Sequence, residues 1–163
     1  MLKPLTNIAY IDNTNLYKGV QAEGFKIDYV KLRTYLKERL QVKTAYMFIG
    51  FIPKNASMYK YFQESGYTLI FKPTIMFGDG TVKGNCDGEL ILQATCDFYE
   101  EKMGKAVIVT SDGDFSCLVK FLQSKDSLEM ILSPRGDDKC SNLLKESGAK
   151  ITFLPEVQHL IKQ

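Results

Sequence analysis

Short β-branched apolar runs alternate with stretches of helical spacing along most of the chain. Residues 8–11 form a short apolar run. Residues 28–40 carry Val30, Leu32, Leu36 and Leu40 with Lys and Arg between them, which is helical spacing. Residues 45–51 are continuously apolar, as a strand covered on both faces requires. A helix is expected over 57–64, ended by Gly66, and a strand over 68–71. Gly78, Gly80 and Gly84 mark 74–84 as a loop or hairpin. Residues 87–101 place Leu90, Ile91, Ala94 and Phe98 on one helical face, and 106–110, AVIVT, is the most strand-like segment. Beyond it come a helix over 115–123, a strand over 128–132, a helix over 141–146 ended by Gly148, and a strand over 151–153. Pro155 suits the start of a terminal helix.

Alternating β and α predict an α/β fold, a mostly parallel sheet with helices on both faces. No repeat or Pro/Gly-rich linker divides the 163 residues, so one domain over 1–163 is expected. In such sheets ligands collect outside the carboxyl ends of the strands. The residues just past each strand end therefore matter most. Asp12 comes directly after the first strand, and Ser111, Asp112, Gly113 and Asp114 come after the 106–110 strand. Asp87 opens its helix behind KGNC. Each acid has a plain structural alternative, since aspartate after a strand commonly caps a helix or forms a turn. Together they offer hard oxygen donors from three segments, the ligand type that Mg²⁺ prefers.

Composition narrows the chemistry. Twenty-one Lys and Arg against 19 Asp and Glu leave a net charge of +2, too balanced to give a global field for nucleic acid or membrane. The longest charge-free apolar stretch, 44–53, falls far short of the roughly 20 residues of a spanning helix, and the N-terminal residues show no signal-peptide pattern. Cys86, Cys96, Cys117 and Cys140 form no CxxC pair, and His159 is the sole histidine. Zinc sites of the usual spacing and histidine-based nucleophilic mechanisms are therefore disfavoured. A reduced, cytoplasmic setting is the simplest expectation. The absence of GxxxxGK[ST] removes a P-loop kinase.

The segments IAYIDNTNLY, KGNCDGELILQATCDFYE and AVIVTSDGDFSCLVKFLQ, in that order, resemble the three signature blocks of the NYN domain. The likeness is to its LabA-like branch within the PIN-like nuclease superfamily. That pattern is a strand ending in D-x-x-N, a K-G-x-D at a helix start, and a strand ending in S-x-D-x-D-F. The second block departs slightly, with Asn85-Cys86 before Asp87. The resemblance implies a PIN-like Rossmannoid fold and a Mg²⁺- or Mn²⁺-dependent ribonuclease. Asp12, Asp87, Asp112 and Asp114 match the acidic, metal-binding positions. Asn15 matches an amide that orients an acid or touches phosphate, and Ser111 matches a hydroxyl placed to hydrogen-bond a ligand carboxylate.

Substrate features are weaker. Lys43, Lys54, Lys60, Lys72 and Lys83 interleave with Tyr59, Tyr61, Tyr67, Phe71 and Phe77, a mixture that suits single-stranded RNA. A solvated lysine face over core aromatics gives the same pattern. Lys83, four residues before Asp87, is the best phosphate contact among them. Met58, Tyr59 and Tyr61 suit either a homo-oligomer contact or the core. Two other functions compete. Asp112-Gly113-Asp114-Phe115-Ser116 superficially resembles the D-x-D-x-[TV] nucleophile of haloacid-dehalogenase-like phosphatases, but that leaves Asp12 and Asp87 unexplained. A non-catalytic regulatory or RNA-binding module would keep the fold and the acids.

Overall fold

The computed structural model describes residues 5–80, 82–83 and 85–163, the side chains of Val82 and Lys83 apart. Six parallel strands form the main sheet: β1 (Asn7–Asp12), β2 (Val42–Phe51), β3 (Thr68–Pro73), β6 (Ala106–Val109), β7 (Leu128–Ser133) and β8 (Ile151–Phe153). The spatial order is β3-β2-β1-β6-β7-β8. Two-residue strands β4 (Ile75–Met76) and β5 (Val82–Lys83) pair antiparallel in the expected glycine-rich segment. The chain builds outward from β1 through β2 to β3, then returns to lay β6 on the other side of β1. The order reverses between β1 and β6, and a doubly wound sheet opens its ligand crevice at such a reversal.

Alternation along β1 distributes its side chains to two cores. Ala9 and Ile11 pack with Leu16 and Val20 of α1 (Asn13–Ala22) and with Leu32, Leu36 and Leu40 of α2 (Tyr29–Leu40). Ile8 and Tyr10 pack on the opposite face with Leu90 and Ala94 of α4 (Asp87–Tyr99) and Leu118 and Leu122 of α5 (Ser116–Ser124). Helices α3 (Ala56–Glu64), α6 (Asn142–Lys145) and α7 (Gln158–Ile161) complete the cover. Among the described residues no helix is long and apolar enough to cross a membrane.

Helix α1 is not marked by the apolar spacing. Its sequence NTNLYKGVQA holds few strong helix formers, and what stabilises it is a cap and a tight fit. Asp12 accepts a hydrogen bond from the Asn15 backbone N–H at 3.3 Å. A Cβ at Gly19 would lie 2.6 Å from Pro134 Cβ, so only glycine lets α1 approach the segment after β7. Two expected helices are shorter than their spacing suggests. Ser141 caps α6, which ends at Lys145, and a 3₁₀ turn over Leu154–Val157 precedes α7. Residues 113–115 also form a 3₁₀ turn, capped by Asp112, so Asp114 lies within the turn and does not cap α5.

Candidate metal centre

The pairing of Ile11 with Val109 stands the ends of β1 and β6 side by side. Asp12 closes β1, and Thr110, Ser111 and Asp112 leave β6. Asn15, in the first turn of α1, ties the two ends together. Its Oδ1 accepts from the Ser111 N–H at 2.9 Å and from Ser111 Oγ at 3.0 Å. Buried Ser111 thus hydrogen-bonds the Asn15 amide in this structure, and the ligand-carboxylate contact implied by the family resemblance is not among its hydrogen bonds here. The next turn is fixed internally. Thr110 Oγ1 accepts from the Asp112 N–H at 3.1 Å, and Asp112 Oδ1 accepts from the Asp114 N–H at 2.9 Å. A Cβ at Gly113 would meet Ser141 Oγ at 2.5 Å, so the turn is pressed against the start of α6.

Asp87 arrives from the other side, as the first residue of α4. Its N–H donates to Asn85 Oδ1 at 2.7 Å, and Asn85 Nδ2 donates to Asp87 Oδ2 at 3.3 Å. This placement brings carboxylate oxygens of Asp87, Asp112 and Asp114 within 4.8 Å of one another. Asp12 is not in that group, yet it lies near enough to interact with Asp87 and Asp112. Asp12 and Asp112 each direct one oxygen to a backbone N–H, so capping and clustering coexist in the same side chains.

The electrostatics reflect this crowding. Burial pushes the Asp12 carboxyl up to about 6, against the Asn15 N–H, and the charges of Asp87 and Asp112 add to the rise. Asp87 is also raised, first by burial and then by Asp112 and Asp114, while the Asn85 amide and the charge of Lys72 oppose the shift. Lys72 Nζ donates to the Asn85 carbonyl at 2.6 Å and lies 3.5 Å from Glu89. All the clustered donors are hard oxygens, which fit Mg²⁺ or Mn²⁺ and not a thiophilic ion.

Asp12, Asp87 and Asp112 line one part of a cleft of about 1010 Å³. Tyr29, Met58 and Tyr61 line another part, with Tyr17, Lys18 and Arg135. The sequence pattern does not single out Tyr17, Lys18, Tyr29 or Arg135. Tyr17 lies four residues after Asn13, and Lys18 four residues after Thr14. With α1 recognised, this spacing would have stacked Tyr17 over Asn13 and Lys18 over Thr14, the two residues that follow Asp12 in the cleft lining. The lysine-aromatic segment divides between its two readings. Tyr59 and Tyr67 are buried in the core, Lys60 pairs with Glu64 at 3.7 Å, and Lys43 lies at the far end of β2 from the acids. Tyr61 alone of those aromatics lines the cleft. The Lys83 side chain lies outside the described residues. Buried Tyr59 is unavailable for a contact between copies.

Comparison with known proteins agrees with this topology. A protein of unknown function, VPA0982 from Vibrio parahaemolyticus RIMD 2210633, has a crystal structure that superposes with a TM-score of 0.74 at 22% identity. The match spans 93% of this chain and 95% of that one, and at this identity it speaks to the fold. No curated protein matches the chain. The family model of the NYN domain matches residues 7–154, from the first residue of β1 to just beyond β8. The chain therefore belongs to the NYN domain family, with an α/β PIN-like fold and an aspartate cluster able to hold a metal ion at the carboxyl ends of its central strands.

Proposed function

We propose that this NYN domain is a Mg²⁺- or Mn²⁺-dependent ribonuclease of the LabA-like branch, acting on phosphodiester bonds of single-stranded RNA. The observation that carries the reading is the meeting of Asp87, Asp112 and Asp114 within 4.8 Å at the point where the strand order reverses. A divalent ion bound there would stabilise charge developing on phosphoryl oxygens. Asp87, Asp112 and Asp114 would supply its protein ligands. Asp12, pushed up to about 6 and lining the same cleft, adds negative charge beside them as the pH rises. Asn15 holds the two strand ends at fixed separation through Ser111. Lys18 and Arg135, elsewhere on the cleft lining, offer positive charge to the phosphates of a bound strand.

The test is cleavage of mixed-sequence single-stranded RNA by wild type and Asp112→Asn, each in Mn²⁺ and in chelator. The amide of Asp112→Asn still accepts from the Asp114 N–H, so the turn is kept while one charge is lost. Cleavage by wild type in Mn²⁺ alone, abolished in the variant, is the expected result. Equal cleavage by both proteins sinks the reading. Binding of RNA without cleavage by the wild type would turn it toward a regulatory module.

A further inference from the structure

The aromatic part of the cleft has no role in holding a metal. Tyr29 is rigidly placed there. Its hydroxyl donates to Asn13 Oδ1 at 2.9 Å, its carbonyl accepts from the Tyr67 hydroxyl at 2.7 Å, and its ring packs on Phe62 with centroids 4.6 Å apart. Asn13 is the neighbour of Asp12, so this ring is anchored next to the acidic wall. Tyr61 stands edge-on to Tyr29 at 6.5 Å and 89°, yet remains 43% exposed. Tyr17, 45% exposed, approaches Tyr29 from α1. Two half-exposed rings therefore share with a fixed one the same cleft as Asp12, Asp87 and Asp112. Cations are scarce around them. Arg135 is engaged by Glu23 at 3.0 Å, and Lys18 has no carboxylate partner among the described residues.

We infer that Tyr17 and Tyr61 form a base-stacking wall that binds an unpaired nucleobase beside the aspartate cluster. This assignment rests on the ribonuclease reading for the identity of the ligand. Its consequence is that the strand is held mainly by its bases. A ring face accepts any base, whereas a base inside a duplex cannot reach it without being unpaired. Among the described residues Lys18 and Arg135 are the cations that line the cleft, and two phosphate contacts predict a shallow salt dependence, with a log–log slope of about −0.7 to −1.4 on a single strand.

Binding is measured in Ca²⁺, a hard cation that oxygen ligands accept, with labelled oligouridine and with the same strand annealed to oligoadenine. RNA integrity is checked on a gel. Wild type should prefer the single strand by about tenfold or more. Tyr17→Ala and Tyr61→Ala should each weaken binding by about fivefold to a hundredfold. Tyr17→Phe and Tyr61→Phe, which keep the rings, should restore it. Mn²⁺ binding and melting temperature should stay at wild-type values in all four variants, which a merely structural role would not allow. Tyr61→Trp gives a second reading that survives any loss of affinity in the alanine variants. The chain has no tryptophan, so the new indole is a lone reporter, quenched by oligouridine and unaffected by the duplex. Alanine variants that bind like wild type, equal binding of duplex, or a salt slope near −4 would overturn the wall. Cleavage that proceeds with those outcomes leaves the nuclease standing without it. A wild type that binds oligouridine through these rings but never cleaves in Mn²⁺ removes the nuclease and leaves the wall.

Discussion

Helix α4 carries one aspartate at each end of a contrast. Asp97 is fully buried, and both of its oxygens are used: Tyr10 Oη donates to Oδ2 at 2.7 Å and Gln93 Nε2 to Oδ1 at 2.9 Å. Asp87, about 15 Å away along the helix axis, is half-buried and faces two further carboxylates. The same residue type thus serves opposite ends. Neutral donors make Asp97 a brace between α4 and β1, whereas like charges make the Asp87 cluster a source of repulsion until a cation arrives. Tyr10 lies two residues before Asp12 on the same face of β1, so the brace fixes the two elements whose ends carry Asp12 and Asp87.

The sharpest way to break the contrast is to truncate the brace. Asp97→Ala leaves the Tyr10 hydroxyl and the Gln93 amide without partners in a packed core. It should cost about 3 kcal/mol or more in urea unfolding. Asp112→Asn should do the opposite in chelator and raise the melting temperature, because it removes a repelling charge and keeps the turn. Metal should then separate the two proteins. At a hundredfold excess over Kd, Mn²⁺ should stabilise the wild type by about 2.7 kcal/mol, and the gain should be smaller in Asp112→Asn. A wild type indifferent to Mn²⁺, with Asp112→Asn less stable in chelator, would leave these acids as turn formers only.

Titration tests the acidic side alone. The folded pKa of Asp12, about 6, lies above the ordinary aspartate value, so the folded state retains a proton that the unfolded chain has released. Without metal, the contribution of Asp12 to stability should be fully present below pH of about 4 and fall by about 2 kcal/mol as pH rises through about 6. Denaturation midpoints in chelator across that range should show the fall, and Asp12→Asn should flatten it. Saturating Mn²⁺ favours the ionised form and should offset the fall. The smallest effect is expected at Lys72, the cation that opposes the rise of Asp87. Lys72→Met should raise Asp87 further and lower Mn²⁺ affinity more at acidic than at neutral pH, by no more than about 1 kcal/mol in isothermal titration. Equal affinity loss at both pH values would mean that Lys72 acts by packing.

Much of this architecture is legible in the residues themselves. Continuous apolar runs such as 106–110 and 45–51 betray strands covered on both faces, and their alternation with periodic helices gives a parallel sheet. The acids can be located because parallel sheets put sites where strands end. What cannot be read is the distance between segments. That β1 and β6 are neighbours depends on a reversal of strand order, which no local pattern encodes. Helix α1 is hidden because its stability comes from the Asp12 cap and the Gly19–Pro134 approach, both tertiary. Tyr17 and Lys18 are hidden with it. The partner of Ser111 is equally hidden, because a hydroxyl next to carboxylates has several acceptors within reach, and only geometry selects the Asn15 amide.

The outer strands carry one more lesson. β3 is an edge of the sheet, with Phe71 exposed, and β8, at the other edge, is only three residues long. An open edge invites a neighbouring molecule to continue the sheet, and a lysine or proline discourages it. β3 ends in Lys72-Pro73, so the residue that steadies the Asn85 carbonyl beside Asp87 also guards the edge against growth into fibrils or strand-swapped aggregates. Protection of the edge and support for the start of α4 therefore meet in one side chain. A substitution of Lys72 would act at the same time on the aspartate cluster and on how concentrated the protein can become.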